Sequence, residues 1–168
     1  DISKKYNNKI IPIEVNFEDL ESVKISAQSI IDKNIPIEIL VNNAGIIENS
    51  LFQMTTIKNL KKIFDENFFS QSLFTQIILK SIIKNKKGSI VYISSTSALD
   101  GIVGRNSYSA SKAAIISQAN TLSREVGRTN IRVNVVSPGL TDTDMMKKNT
   151  QNKVLEETIS KLSLKRVA

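Results

Sequence analysis

The chain has 168 residues, 40% of them apolar, and its 23 Lys and Arg outweigh 16 Asp and Glu to give a net charge of +7; cysteine and histidine are absent. That length suits one domain with its own core. The missing residue types exclude a disulfide framework and thiolate metal sites, leave a transition-metal centre without its usual ligands, and hand acid–base work near neutral pH to Tyr, Lys, Asp or Glu.

In chain order, a strand is expected over Ile10 to Val15, followed by Asn16 in front of Phe17-Glu18-Asp19, where an Asx turn leads into a helix. Leu20, Val23, Ala27, Ile30 and Ile31 recur at helical spacing. A second strand over Ile37 to Val41 runs into Asn42-Asn43-Ala44-Gly45, which reads as a turn or as a ligand site at a strand end. A long helix from Ile57 to Lys84 follows, with a core row that includes Leu60, Ile63, Phe64, Phe68, Phe74, Ile78 and Ile82. Phe69, Leu73 and Ile77 form a second apolar side, which calls for a second partner.

The run Gly88 to Ile93 is a β-branched apolar strand that ends in Ser94 and Ser95, and an open α/β sheet binds its ligands at such carboxyl ends. Thr96 to Asn106, with Gly101 and Gly104, is a loop that returns the chain to a helix opening near Ser107. That helix presents Tyr108 and Lys112, four residues apart, on one face. A lysine ammonium beside a tyrosine stabilises the phenolate and makes the hydroxyl a usable general acid. Tyr-x-x-x-Lys alone is a weak pattern, and the serine-ended strand upstream is what gives it context. A last strand over Ile131 to Val136 leads into Ser137-Pro138-Gly139. Strands alternating with helices argue for a parallel sheet with right-handed crossovers in a single domain.

These motifs together resemble the short-chain dehydrogenase/reductase family, and within it most the 3-oxoacyl-(acyl-carrier-protein) reductases. Asn42 to Gly45, Asn67, Ser95, Tyr108 with Lys112, and Asn134 to Gly139 followed by Thr143-Asp144-Met145 occur in family order between about Asn16 and Met145. The resemblance implies a Rossmann-like doubly wound parallel sheet in three α/β/α layers, forming one NAD(P)-binding domain over residues 1–168. It implies a cytoplasmic oxidoreductase that uses NAD(H) or, by preference, NADP(H) to reduce a ketone or a 3-oxoacyl thioester. Its roles are Tyr108 as proton donor, Ser95 holding the carbonyl, Lys112 on the nicotinamide ribose and beside Tyr108, and Asn67 anchoring a water that links Lys112 to solvent.

Cofactor contacts implied in the same way are Asn42, Asn43, Ala44 and Gly45, where small residues admit a flat nucleotide, together with Tyr108, Lys112, Pro138, Gly139, Thr141 and Thr143. Asn16 matches the position that contacts adenine. The family also implies a homodimer or homotetramer.

All six glycines lie at Gly45 or later, so the glycine-rich loop for a pyrophosphate is missing. The chain is therefore expected to be a fragment lacking an N-terminal βαβ unit and a C-terminal strand. A non-catalytic truncated relative or binding module of the same fold is the rival reading. No apolar run is long enough for a bilayer and no metal site is expected. Lys58, Lys61, Lys62, Lys80, Lys84, Lys86 and Lys87 read as solvated surface rather than a nucleic-acid site, while Lys86, Lys87, Arg124 and Arg128 are candidates for steering an acidic acyl carrier protein toward the cleft.

Overall fold

The computed structural model describes residues 9–150 and 152–168. Three parallel strands, β1 (Ile39–Asn42), β2 (Gly88–Ile93) and β3 (Ile131–Val136), pair in the order β1-β2-β3, with Ile39 opposite Ser89 and Gly88 opposite Ile131. Helix α1 (Leu20–Asp32) precedes β1. The β1 to β2 crossover carries α2 (Ile57–Phe64), a π-helical turn (Asp65–Phe69) and α3 (Ser70–Lys84). Between β2 and β3 lie the short α4 (Ser97–Asp100) and the long α5 (Asn106–Val126), and after β3 come α6 (Asp144–Asn149) and α7 (Asn152–Lys161). The α/β class and the parallel, partial Rossmann-like sheet are as the pattern predicts.

Local chemistry explains the boundaries. Asp19, Thr56 and Thr143 cap α1, α2 and α6, each side-chain oxygen accepting a backbone N–H of the first turn. Gly88 opens β2 because a Cβ there would come within 2.2 Å of Ile82 Cγ2, so only glycine lets α3 close onto the strand this tightly. The loop into α5 turns at Gly101 and Gly104, both at positive φ.

One face of the sheet builds the core. Leu40, Ile90, Tyr92 and Ile131 pack with Ala27 of α1, Ile78 and Ile82 of α3 and Ile115, Ala119 and Val126 of α5. Each fully buried isoleucine there contributes roughly 1.5–3 kcal/mol. On the opposite face Ile39, Val41 and Val136 are 67%, 54% and 49% exposed.

The stretch 10–15 departs from expectation: it forms no ladder among the described residues. Its Glu14 carbonyl accepts instead from Ser26 Oγ of α1 at 2.8 Å, because no described strand lies beside it to supply ladder donors. Among the described residues no helix is long and apolar enough to cross a membrane.

Candidate active site

The carboxyl ends of β1, β2 and β3 meet on one side of the sheet, where Ser94 N donates to Val136 O at 2.8 Å and Thr96 N to Pro138 O at 3.0 Å. There they open a cleft of about 340 Å³. Asn43, Gly45, Ser95, Tyr108, Lys112, Pro138, Gly139, Thr141 and Thr143 all line it. Segments separated by up to a hundred residues thus converge as the strand-end argument requires.

Lys112 is 4% exposed. Its Nζ donates to Ile93 O at 2.8 Å and stands 5.8 Å from the centre of the Tyr108 ring. Burial lowers its pKa from 10.5 to about 8, so at neutral pH the group is still mainly an ammonium. An ammonium has three donors, and one carbonyl uses one of them. Ser94 Oγ donates to Lys112 O at 2.8 Å, tying α5 to the end of β2.

Asn67 sits in the π-helical turn, fully buried. Its Oδ1 accepts from Ile46 N at 2.7 Å, and its Nδ2 donates to Ile46 O at 2.9 Å and to Ser111 Oγ at 3.1 Å. The amide therefore grips the backbone beyond Gly45, keeping one Oδ1 lone pair for any relay water. Gln71, one turn on, donates to Ala44 O at 2.7 Å and to Asn67 O at 2.8 Å. Gly45 closes this arrangement, since a Cβ there would meet Asn67 Oδ1 at 3.2 Å and Lys112 Nζ at 3.3 Å. The Ser95 hydroxyl lies 2.8 Å from Ser97 Oγ and accepts from Ser97 N at 3.2 Å.

Other expected contacts stand elsewhere. Asn42 faces the helical layer, where its Nδ2 donates to Thr75 Oγ1 at 2.9 Å, because alternate β1 residues point to opposite faces and Asn42 shares the core side with Leu40. Ala44 does not line the cleft, and Asn67 reaches it only through Gly45. Asn16 makes the Asx turn, its Oδ1 accepting from Glu18 N at 3.0 Å, in a separate depression with Glu14, Asp19 and Glu21. Thr143 Oγ1 is occupied as the cap of α6, accepting from Met146 N at 3.2 Å.

Lys86, Lys87, Arg124 and Arg128 are exposed but misplaced for steering toward the cleft. Lys86 and Lys87 precede β2, Arg128 precedes β3, and Arg124 lies in the last turn of α5. They stand at the amino ends of the strands, roughly 20 Å away at about 3.3 Å per strand residue.

Sequence reasoning placed Ser94 only as a strand-end hydroxyl beside Ser95 and missed Ser97, Ser111, Gln71, Thr75 and Arg105. Gln71 carried a local signal, lying one helical turn after Asn67. Ser97 and Ser111 carried none, because small hydroxyls are as common in loops and caps as in sites.

The donor set fits a nicotinamide nucleotide: among the described residues Lys112 gives one of its three ammonium donors to Ile93 O, and Gly139 lines the same cleft with open space where a Cβ would stand. The short chain dehydrogenase family model matches residues 1–154. The chain is 36% identical over 152 residues to the 3-oxoacyl-(acyl-carrier-protein) reductase of Chlamydia muridarum, covering 90% of this chain and 61% of that protein. It is 33% identical over 158 residues to the protein of the same name from Thermotoga maritima, with 94% and 64% covered. To the acetoacetyl-CoA reductase of Synechocystis sp. it is 33% identical over 154 residues, covering 90% and 64%. The chain thus spans about three fifths of the length of these curated relatives.

Proposed function

Because this chain belongs to the short chain dehydrogenase family, we propose that it carries the catalytic half of a reductase that turns a ketone or a 3-oxoacyl thioester into the corresponding alcohol. The observation that carries the reading is the buried Lys112 ammonium 5.8 Å from the Tyr108 ring, in a cleft at the strand ends. A bound nicotinamide cofactor supplies the hydride.

The residues of the chain do the rest. Ser95 donates a hydrogen bond to the substrate carbonyl and stabilises the oxyanion character that develops there. Its own oxygen is held by Ser97 N, which fixes where the hydroxyl stands. Tyr108 gives its phenolic proton to the carbonyl oxygen, completing the alcohol. Lys112 stabilises the phenolate left behind and holds the ribose hydroxyls with its remaining donors. Asn67 and Gln71 act from behind by holding Ala44 to Ile46, so that Gly45 stays against Lys112. The names of the relatives support a 3-oxoacyl thioester on an acyl carrier protein or on coenzyme A as the substrate class.

The test is Tyr108→Phe in the full-length protein, assayed with NADPH and with NADH. Turnover of acetoacetyl-CoA should fall at least ~100-fold while cofactor affinity holds, because only the proton donor is lost. Turnover like that of the wild type would refute the mechanism.

A further inference from the structure

The cleft is electropositive. Among the described residues two cations, Lys112 and Arg105, and no carboxylate line it. Lys112 gives one donor to Ile93 O and, in the reading above, its others to the ribose hydroxyls. Arg105 is half-buried, immediately precedes α5, and lines the same cleft as Tyr108. It forms no salt bridge among the described residues. Of its five donors, one reaches Thr150 Oγ1 at 3.3 Å. The lining of the same cleft also includes Leu140, Met145 and Met146. A guanidinium in a partly apolar cleft, with one of its donors engaged among the described residues, is matched best by an oxyanion that accepts two others.

We propose that Arg105 receives an acidic group of the substrate, and that the site takes an oxo acid whose carboxylate lies a few bonds from the carbon that is reduced. The proposal rests on the reductase reading above, takes its ketone alternative, narrows that to an oxo acid, and departs from the thioester class that the relatives' names support. Arg105 and Tyr108 line one cleft of about 340 Å³, so carboxylate and carbonyl must both fit within it, which suits a small molecule. Thr150, the residue after α6, holds Arg105 in place from one side.

The test uses the full-length protein with NADPH and two pairs of probes, acetoacetate against ethyl acetoacetate and levulinate against ethyl levulinate. At least one acid should exceed its ester in kcat/KM by about tenfold or more, chiefly through KM. Arg105→Gln should bring that ratio close to one, and Arg105→Lys should restore part of it. No preference for either acid in the wild type overturns the proposal without any variant. So does a preference that survives Arg105→Gln. A rise in the KM of NADPH with the acid-to-ester ratio unchanged would assign the anion to the cofactor. Loss of a preference for acetoacetyl-CoA over acetoacetyl-N-acetylcysteamine, with the acid-to-ester ratio again unchanged, would assign it to the pantetheine phosphate. Either result overturns the oxo-acid assignment. If no acid, ester or thioester is turned over at all, the reductase reading fails and this proposal goes with it.

Discussion

Lys112 places an ammonium that is only 4% exposed at the cleft, with no carboxylate paired to it among the described residues, which suits a phenolate but costs the fold. Burial holds its pKa at about 8, below the ordinary 10.5, so between those values the unfolded chain binds more protons than the folded one. Stability attributable to Lys112 therefore rises with pH across that window, and below about 8 the full cost of the buried ammonium remains, on the order of 3 kcal/mol. Lys112→Met should abolish reductase activity yet leave the melting temperature at pH 7 equal to or above that of the wild type, the lost hydrogen bond to Ile93 O offsetting part of the gain. The gap should close near pH 10. A variant that melts well below the wild type at pH 7 would show that the ammonium stabilises the fold. The Tyr108–Lys112 pair was legible in the sequence because helical spacing is local. The partner of Asn42 was not, since Thr75 lies 33 residues away and only the packed sheet says which face the amide takes.

The crossover helix shows the same limit at the scale of an element. Its apolar rows read as one helix from Ile57 to Lys84, and the backbone does continue through, but a π-helical turn at Asp65–Phe69 lies in the middle. One widened turn leaves almost no trace in hydrophobic periodicity, yet it carries the buried Asn67 toward Ile46. The turn also sets Phe69 outward, 47% exposed, with its ring 5.4 Å from Phe68 and 6.3 Å from Phe64. Ile77, expected on the same outer side, packs on the core instead, so the second apolar side narrows to Phe69 and the half-buried Leu73. We expect a symmetry mate on that side in the full-length protein. Phe69→Glu with Leu73→Glu should yield a monomer by light scattering and lower activity, since the π-helical turn that holds Asn67 is then braced from one side only. A fully active monomer, or a wild type already monomeric at micromolar concentration, removes the case for this interface.

At the scale of the molecule, alternation of strands and helices made the parallel sheet legible, whereas the uneven covering of its two faces appears only in three dimensions. Strands with apolar residues on both sides belong to sheets covered on both sides. Here one side is the core and the other presents Ile39 and Val41 of β1 and Val136 of β3, with Val91 and Ile93 of β2 half-buried between them. The outer edges of β1 and β3 pair with no further strand among the described residues, and such edges template pairing with other chains. Taken alone, the 168-residue chain should therefore bind a hydrophobic dye, self-associate at micromolar concentration and unfold without a sharp transition. Ile39→Lys with Val41→Glu places charge on the bare face without touching Leu40 or Asn42, so dye binding and self-association should both fall while α3 and α5 stay packed on the other side. The longer protein, if its further segments cover this face, should bind little dye before or after the substitutions. A 168-residue chain that is monomeric by sedimentation, silent to the dye and cooperative in urea would show that three strands covered on one face suffice for a stable fold.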